Sequence, residues 1–251
     1  MMAELSGFSC VLMRMTGCVL FNPILGRRNF PALFKAGLIL MFSLIIMTYD
    51  TPHVALPDQF LPTTFVLLSE LFIGFVLGFI VSLFSYIVLL TGQLIDLQMG
   101  LSMSNIYDPQ NNMSMSLTAT YFNLLFLFLF FALNGHIAMI KIFLTSSQVV
   151  GYGEIGFLGS APQAVLDTFV LCTELAIKLA LPLVAIQFLL EMGVGILMKA
   201  IPQINVFVVN LQAKILVGLV AIVLVFSSLA GFIDQMIVTM LDTMQDVLRL
   251  L

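Results

Sequence analysis

The chain has 251 residues, 61% of them hydrophobic and 9% charged, with a formal net charge of −4 and a mean hydropathy of +1.15. Soluble domains run near 45–50% apolar and about 25% charged, so a water-soluble globule is excluded and a polytopic, all-α membrane protein is expected. No basic run offers a nucleic-acid surface. The three cysteines form no CxxC pattern, which reads as small apolar fillers and not as a disulfide or zinc framework.

Six apolar stretches follow in order, over roughly 8–25, 31–49, 60–96, 117–145, 164–191 and 206–241. All six read as helices, because a barrel needs a polar/apolar alternation that is missing. The start carries Glu4 and, inside the first stretch, Arg14, which does not fit a cleavable signal. Pro31, Pro62 and Pro162 sit near segment starts, where a missing N–H costs little. In the third stretch "GFVLG" places Gly74 and Gly78 one helical turn apart, a pair that lets another helix approach closely. The third and sixth stretches exceed the ~20 residues of a plain crossing, so steep tilt, kinks or protrusion beyond the bilayer are expected. Pro182 in the fifth predicts a kink.

The connections differ in charge. Arg27, Arg28 and Lys35 cluster at the first, while the second has Asp50 and Asp58 and the fourth has Glu154. By the positive-inside rule the first, third and fifth face the cytoplasm and both termini face outward. The third connection, "QMGLSMSNIYDPQNNMSMS" (98–116), is polar yet holds Met99, Met103, Met113 and Met115. In the fourth, "GYGEIG" matches GxGxxG, but without a preceding strand it reads as a turn.

Ionisable groups inside apolar helices carry a functional expectation. They are Arg14, Glu70, Asp96, Lys141, Glu174, Lys178, Glu191 and Lys214. Glu174 and Lys178, at i and i+4 with the acid first, form a local pair that is expected to be buried. The other groups line a watery path or pair across helices. No nucleophile elbow, P-loop or metal-ligand spacing occurs, so neither an enzyme nor a bound cofactor is expected. A second reading from a different class is a proton-coupled small-molecule transporter using Glu70, Asp96, Glu174 and Lys178.

Two blocks carry a family resemblance: "GQLIDLQMGLSMSNIYDPQNNMSMSLTATYFNLLFLFLFFALNGHIAMIKIF" (92–143) and "GVGILMKAIPQINVFVVNLQAKILVGLVAIVL" (193–224). Their motifs are Gln98-Met99-Gly100, Asp108-Pro109, Asn134-Gly135-His136, Ala200-Ile201-Pro202-Gln203, Asn205-Val206-Phe207 and Lys214 to Gly218. With "RMTGCVLFNPILGRRNFPALFKAGLIL", they resemble the FliR family of flagellar type III export-gate proteins, over about residues 8–240. The injectisome gate subunits, the SctT-like proteins, are a more distant likeness. Two departures stand out. Lys199 occupies a position where the family commonly has Arg, and Asn210-Leu211-Gln212-Ala213 replaces a Gly-Phe-Pro-Leu run.

The resemblance implies a FliP-like helical part over 1–160 and a FliQ-like helical hairpin over 161–251. It implies a core subunit that helps form and close the channel for unfolded flagellar proteins. FliP-like and FliQ-like subunits, an FlhB-like switch protein, the exported proteins and membrane lipid are the implied partners. The implied location is the flagellar basal body in the bacterial inner membrane. A plug is implied in the third connection: Met99, Met103, Asn105, Ile106, Tyr107, Asp108, Pro109, Asn111, Met113 and Met115. A hairpin tip for assembly is implied at Glu191, Lys199, Pro202, Gln203, Asn205 and Lys214. Flexible thioethers re-pack around varied surfaces, and Asn and Ser adapt their hydrogen bonds, so the composition of the third connection suits such a seal.

Overall fold

The computed structural model describes residues 2–27, 29–49, 59–102, 116–153, 161–201 and 206–250. Among the described residues there are seven helices: α1 Met2–Leu20, α2 Ala32–Tyr49, α3 Phe60–Met99, α4 Leu117–Ala132, α5 Gly135–Val149, α6 Ala161–Ala200 and α7 Val206–Leu250. No strand occurs among the described residues. α2, α3 and α4 are apolar around most of their circumference, whereas α1 and α7 are more one-sided.

Lengths exceed the sequence expectation. α3 and α6 have 40 residues and α7 has 45, which is about 60 to 68 Å at ~1.5 Å per residue. Among the described residues four helices are long and apolar enough to cross a membrane, or five spans are available if α4 and α5 make one bent span. α6 runs as one helix across Pro182, although the proline leaves the Lys178 carbonyl without its helical donor.

The fourth apolar stretch is two helices, not one. α4 and α5 meet at an angle of 69°. Asn134 sits between them with φ +57°, in the left-handed region that Asn enters more readily than most residues. The apolar run conceals this break, and the short Asn134-Gly135 step is its sequence signal.

Contacts group the chain into two compact units. One comprises Met1–Phe84, Asn134–Val170 and Ile237–Leu251; the other Ser85–Leu133 and Leu171–Met236. In the first unit α1 crosses α3 at glycines. A Cβ on Gly17 would lie 2.6 Å from the Phe75 amide nitrogen, and one on Gly74 would meet the Arg14 carbonyl and lie 2.9 Å from the Cys18 nitrogen. The backbones therefore touch, as the Gly74/Gly78 spacing predicts. Gly78 faces Phe21 and Asn22, just after the end of α1, 3.1 Å and 3.2 Å from a notional Cβ.

Burial separates the helices by role. In the most apolar 18-residue stretch of α3, 61% of the residues are buried, against 28% for α6 and 17% for α7. α3 is thus a core element, while α6 and α7 keep broad apolar faces uncovered.

Candidate functional site

The third connection leaves α3 and returns as α4, and both of its ends are in the second unit. α3 ends at Gly100, whose φ of +77° and hydrogen bond from its N–H to the Leu97 carbonyl turn the chain off the helix. Residues 103–115 lie outside the described residues, and with them the predicted plug residues Met103, Asn105, Ile106, Tyr107, Asp108, Pro109, Asn111, Met113 and Met115. Met99 is described and fully buried.

The returning end is held by a carboxylate. Asp96, 2% exposed, accepts hydrogen bonds from the Ser116 hydroxyl, the Thr118 hydroxyl and the Thr118 N–H, the last at 3.1 Å. Ser116 is the N-cap of α4 and accepts from the Ala119 N–H at 3.1 Å. The first amides of a helix have no intrahelical acceptor, so Asp96 and Ser116 together satisfy two of them. A negative charge at that end also opposes the helix dipole. One turn earlier, Gly92 lets α3 and α4 touch: a Cβ there would lie 2.7 Å from the Ala119 Cβ.

The same turn of α3 meets the α6–α7 hairpin. A Cβ on Gly218 would lie 2.5 Å from the Met99 Cε and 2.7 Å from the Gln187 Nε2. Gln187 donates to the Lys214 carbonyl at 3.1 Å, and the Lys214 Nζ pairs with the Glu191 Oε1 at 2.9 Å. Two residues expected at the hairpin tip, Glu191 and Lys214, are thus joined across α6 and α7. Lys199 is exposed in the last turn of α6, where a cation suits the helix dipole. Pro202, Gln203 and Asn205 lie outside the described residues. Higher on α3, the Thr91 hydroxyl donates to the Ala176 carbonyl at 3.1 Å, tying α3 to α6.

The Glu174–Lys178 pair forms at 2.6 Å but is not buried: the two side chains are 57% and 58% exposed. It lies on a face of α6 that no described element covers, so the expectation of a buried pair is corrected.

The first unit contains the other charge cluster. Arg14 is completely buried. Its Nε donates to Glu70 Oε2 at 2.7 Å, its Nη1 to the Val150 carbonyl at 2.9 Å, and its Nη2 to the Gly151 carbonyl at 3.4 Å. Its guanidinium lies 4.2 Å from the Tyr152 ring centroid, and Glu70 Oε1 accepts from the Gly153 N–H at 2.8 Å. The glycine motif at 151–153 is therefore a turn held by Glu70, and Arg14 also caps the carbonyl end of α5.

Sequence reasoning named Arg14, Glu70, Asp96 and Met99, and Gly218 as the end of a family motif without a role, but did not identify Ser116, Thr118 or Gln187. A signal existed for Ser116, a serine just ahead of an apolar run. No local pattern marks Gln187 or gives Gly218 its role, since that role comes from packing against a helix about 90 to 120 residues away in sequence. Among the described residues no three His, Cys, Asp or Glu side chains gather in a way that would hold a metal.

Comparison with known proteins finds relatives along almost the whole chain. The sequence profile of the bacterial export proteins, family 1, matches residues 5–240. The chain is 26% identical over 254 residues to the flagellar biosynthetic protein FliR of Bacillus subtilis (strain 168), covering 97% of this chain and 95% of that one. It is 26% identical over 237 residues to the FliR of Escherichia coli (strain K12), covering 94% and 90%. A surface presentation of antigens protein, SpaR, of Shigella sonnei is 29% identical over 163 residues, covering 64% and 61%.

Proposed function

This chain belongs to the bacterial export proteins, family 1, and we propose that it is a core subunit of the flagellar type III export gate. In this reading it helps to form and close the channel through which unfolded flagellar proteins leave the cell. FliP-like and FliQ-like subunits and an FlhB-like switch protein are its partners, in the inner membrane at the flagellar basal body. Residues 1–160 form the FliP-like part and 161–251 the FliQ-like hairpin.

The observation that carries the reading is the α3–α4 junction. A Met-rich, polar connection leaves and re-enters a very hydrophobic protein at one buried point, where Asp96 holds Ser116 and Thr118. Irregular backbone is tolerated at membrane depth only where it is buried in protein or lines a cavity. A connection fixed at its base and composed of Met, Asn and Ser suits a seal that yields to varied side chains. The names and near-complete coverage of the FliR relatives support the flagellum over an injectisome.

The transporter alternative requires mobile, ionisable acids. Glu70 is instead engaged by Arg14 and Gly153, and Glu174 lies beside Lys178 on an exposed face of α6.

The test is purification of the tagged protein in mild detergent. The expected result is a stoichiometric complex with two other small hydrophobic proteins. A stable monomer or homodimer that moves a solute across liposomes would overturn the proposal.

A further inference from the structure

Lys141 stands inside an apolar helix, yet its Nζ has no acid beside it among the described residues. It lines a cleft of about 380 Å³ between α5 and the end of α7, within the first unit. That volume falls in the ~300–1,000 Å³ range of small-molecule sites. Lys141, Thr145 and Val149 follow one another at i, i+4 and i+8 and make one stripe of α5; Gln245 and Arg249, at i and i+4, make the facing stripe of α7. Ile142 and Leu248, 4% and 3% exposed, form the apolar floor. Thr145 spends its hydroxyl proton on the Lys141 carbonyl at 2.8 Å. The Arg249 Nη1 lies 3.6 Å from the Asp246 Oδ1, beyond a good hydrogen bond, and both side chains are 69% exposed. The guanidinium therefore keeps donors to spare. Asp242 and Asp246 are exposed on α7 nearby, but no acid is among the described residues that line the cleft.

We propose that this cleft binds the phosphate of an anionic phospholipid. α7 is a candidate membrane span, and α4 with α5 is a bent one. A basic pocket between such helices is suited to a lipid headgroup. Arg249 offers a planar fork to two phosphate oxygens, Lys141 a point charge from the opposite wall, and Gln245 an amide donor. Apolar side chains continue outward from the cations: Ile137 lies one turn before Lys141, Val149 is on its stripe, and Leu250 follows Arg249, all about half exposed. They give acyl chains a surface that a soluble phosphate would not use. Asp242 and Asp246 at the rim disfavour a run of acidic residues more than a head with a single charge. The site belongs to one unit of this chain and does not depend on the export reading.

The test uses the protein with its co-purifying subunits in phosphatidylcholine nanodiscs containing a photoactivatable phosphatidylglycerol. Labelled peptides are mapped, and unlabelled phosphatidylglycerol as competitor gives an apparent affinity. Labelling is expected on α5 and the end of α7. Lys141→Gln and Arg249→Gln should each weaken binding about fivefold, and the double variant about thirtyfold. Lys141→Arg keeps the charge and the labelling. Lys178→Gln removes an exposed cation on α6 and leaves the cleft unchanged. Melting in lipid-free detergent reports folding separately; if the double variant unfolds, Lys141→Arg against Lys141→Gln carries the test.

Undiminished labelling in the charge-removing variants overturns the inference. An equal loss in Lys178→Gln does so too, because the effect would then be one of overall charge. Labelling that inorganic phosphate abolishes would give the cleft to a soluble anion and overturn the lipid assignment. A carbodiimide cross-link from Lys141 to a co-purifying subunit would give it to a protein carboxylate, with the same result.

Discussion

Moving a guanidinium out of water costs several kcal/mol unless its charge and its N–H groups are all matched. Arg14 meets that demand with a carboxylate, two backbone carbonyls and an aromatic face. Removing one partner strands the other, so Glu70→Leu is expected to destabilise the protein by about 3–5 kcal/mol. The double variant Arg14→Met with Glu70→Leu recovers part of the loss, because no unpaired charge is left. Thermal unfolding of the detergent-solubilised complex checks this, and a double variant worse than either single would contradict it. The exposed Glu174–Lys178 pair is a contrast: Lys178→Gln should shift stability by no more than about 0.5 kcal/mol in the same assay. The sequence showed that Arg14 and Glu70 were out of place among apolar residues. It did not show that they were partners, since 56 residues separate them and only the α1–α3 crossing brings them together.

That crossing belongs to the scale of elements. α1 and α3 approach at Gly17, Gly74 and Gly78, with backbone in the way of any side chain at Gly74. Gly74→Leu is therefore expected to cost about 1–3 kcal/mol or more, from forced separation of the helices. Gly37 on α2 has open space around it. Gly37→Ala there should be neutral or stabilising by up to about 1 kcal/mol, as a better helix former. Equal losses at the two positions, read from complex yield and melting temperature, would show that helix composition and not close approach sets the effect. The spacing in "GFVLG" made this crossing legible. The break between α4 and α5 was not, because hydrophobicity continues through it and the local signal is a single Asn-Gly step. Asn134→Gly should be tolerated, whereas Asn134→Val, a β-branched residue at φ +57°, should destabilise by about 1–2 kcal/mol.

For the chain as a whole, the open question is what covers its apolar surface. Composition alone made lipid the obvious answer. In α7, however, Leu216, Leu219, Val220, Val223 and Leu224 are exposed in the first half, which ends at the exposed Ser227 and Ser228, while the exposed residues of the last half include Gln235, Asp242, Gln245, Asp246 and Arg249 beside Val238 and Leu250. A helix whose outer residues change from leucine and valine to serine, aspartate and glutamine is not suited to lipid along its whole length. Among the described residues only Gly218 and Ala221 are buried in the first half, whereas Ile233, Met236, Ile237, Met240 and Met244 are buried in the second, so it is knowing which residues point outward that separates the halves. The first half needs a cover, and in the proposed gate that cover is protein as well as lipid. Anything that binds the folded chain and not the unfolded one adds stability as its concentration rises above its dissociation constant, about 2.7 kcal/mol at a hundredfold excess. The chain expressed without its partner subunits is therefore expected to be degraded quickly, and co-expression should restore its abundance several-fold. Pulse-chase turnover and protease resistance in detergent measure this. Equal lifetimes with and without partners would mean that lipid alone covers these faces. The long apolar helices would then be ordinary membrane spans rather than surfaces built for assembly.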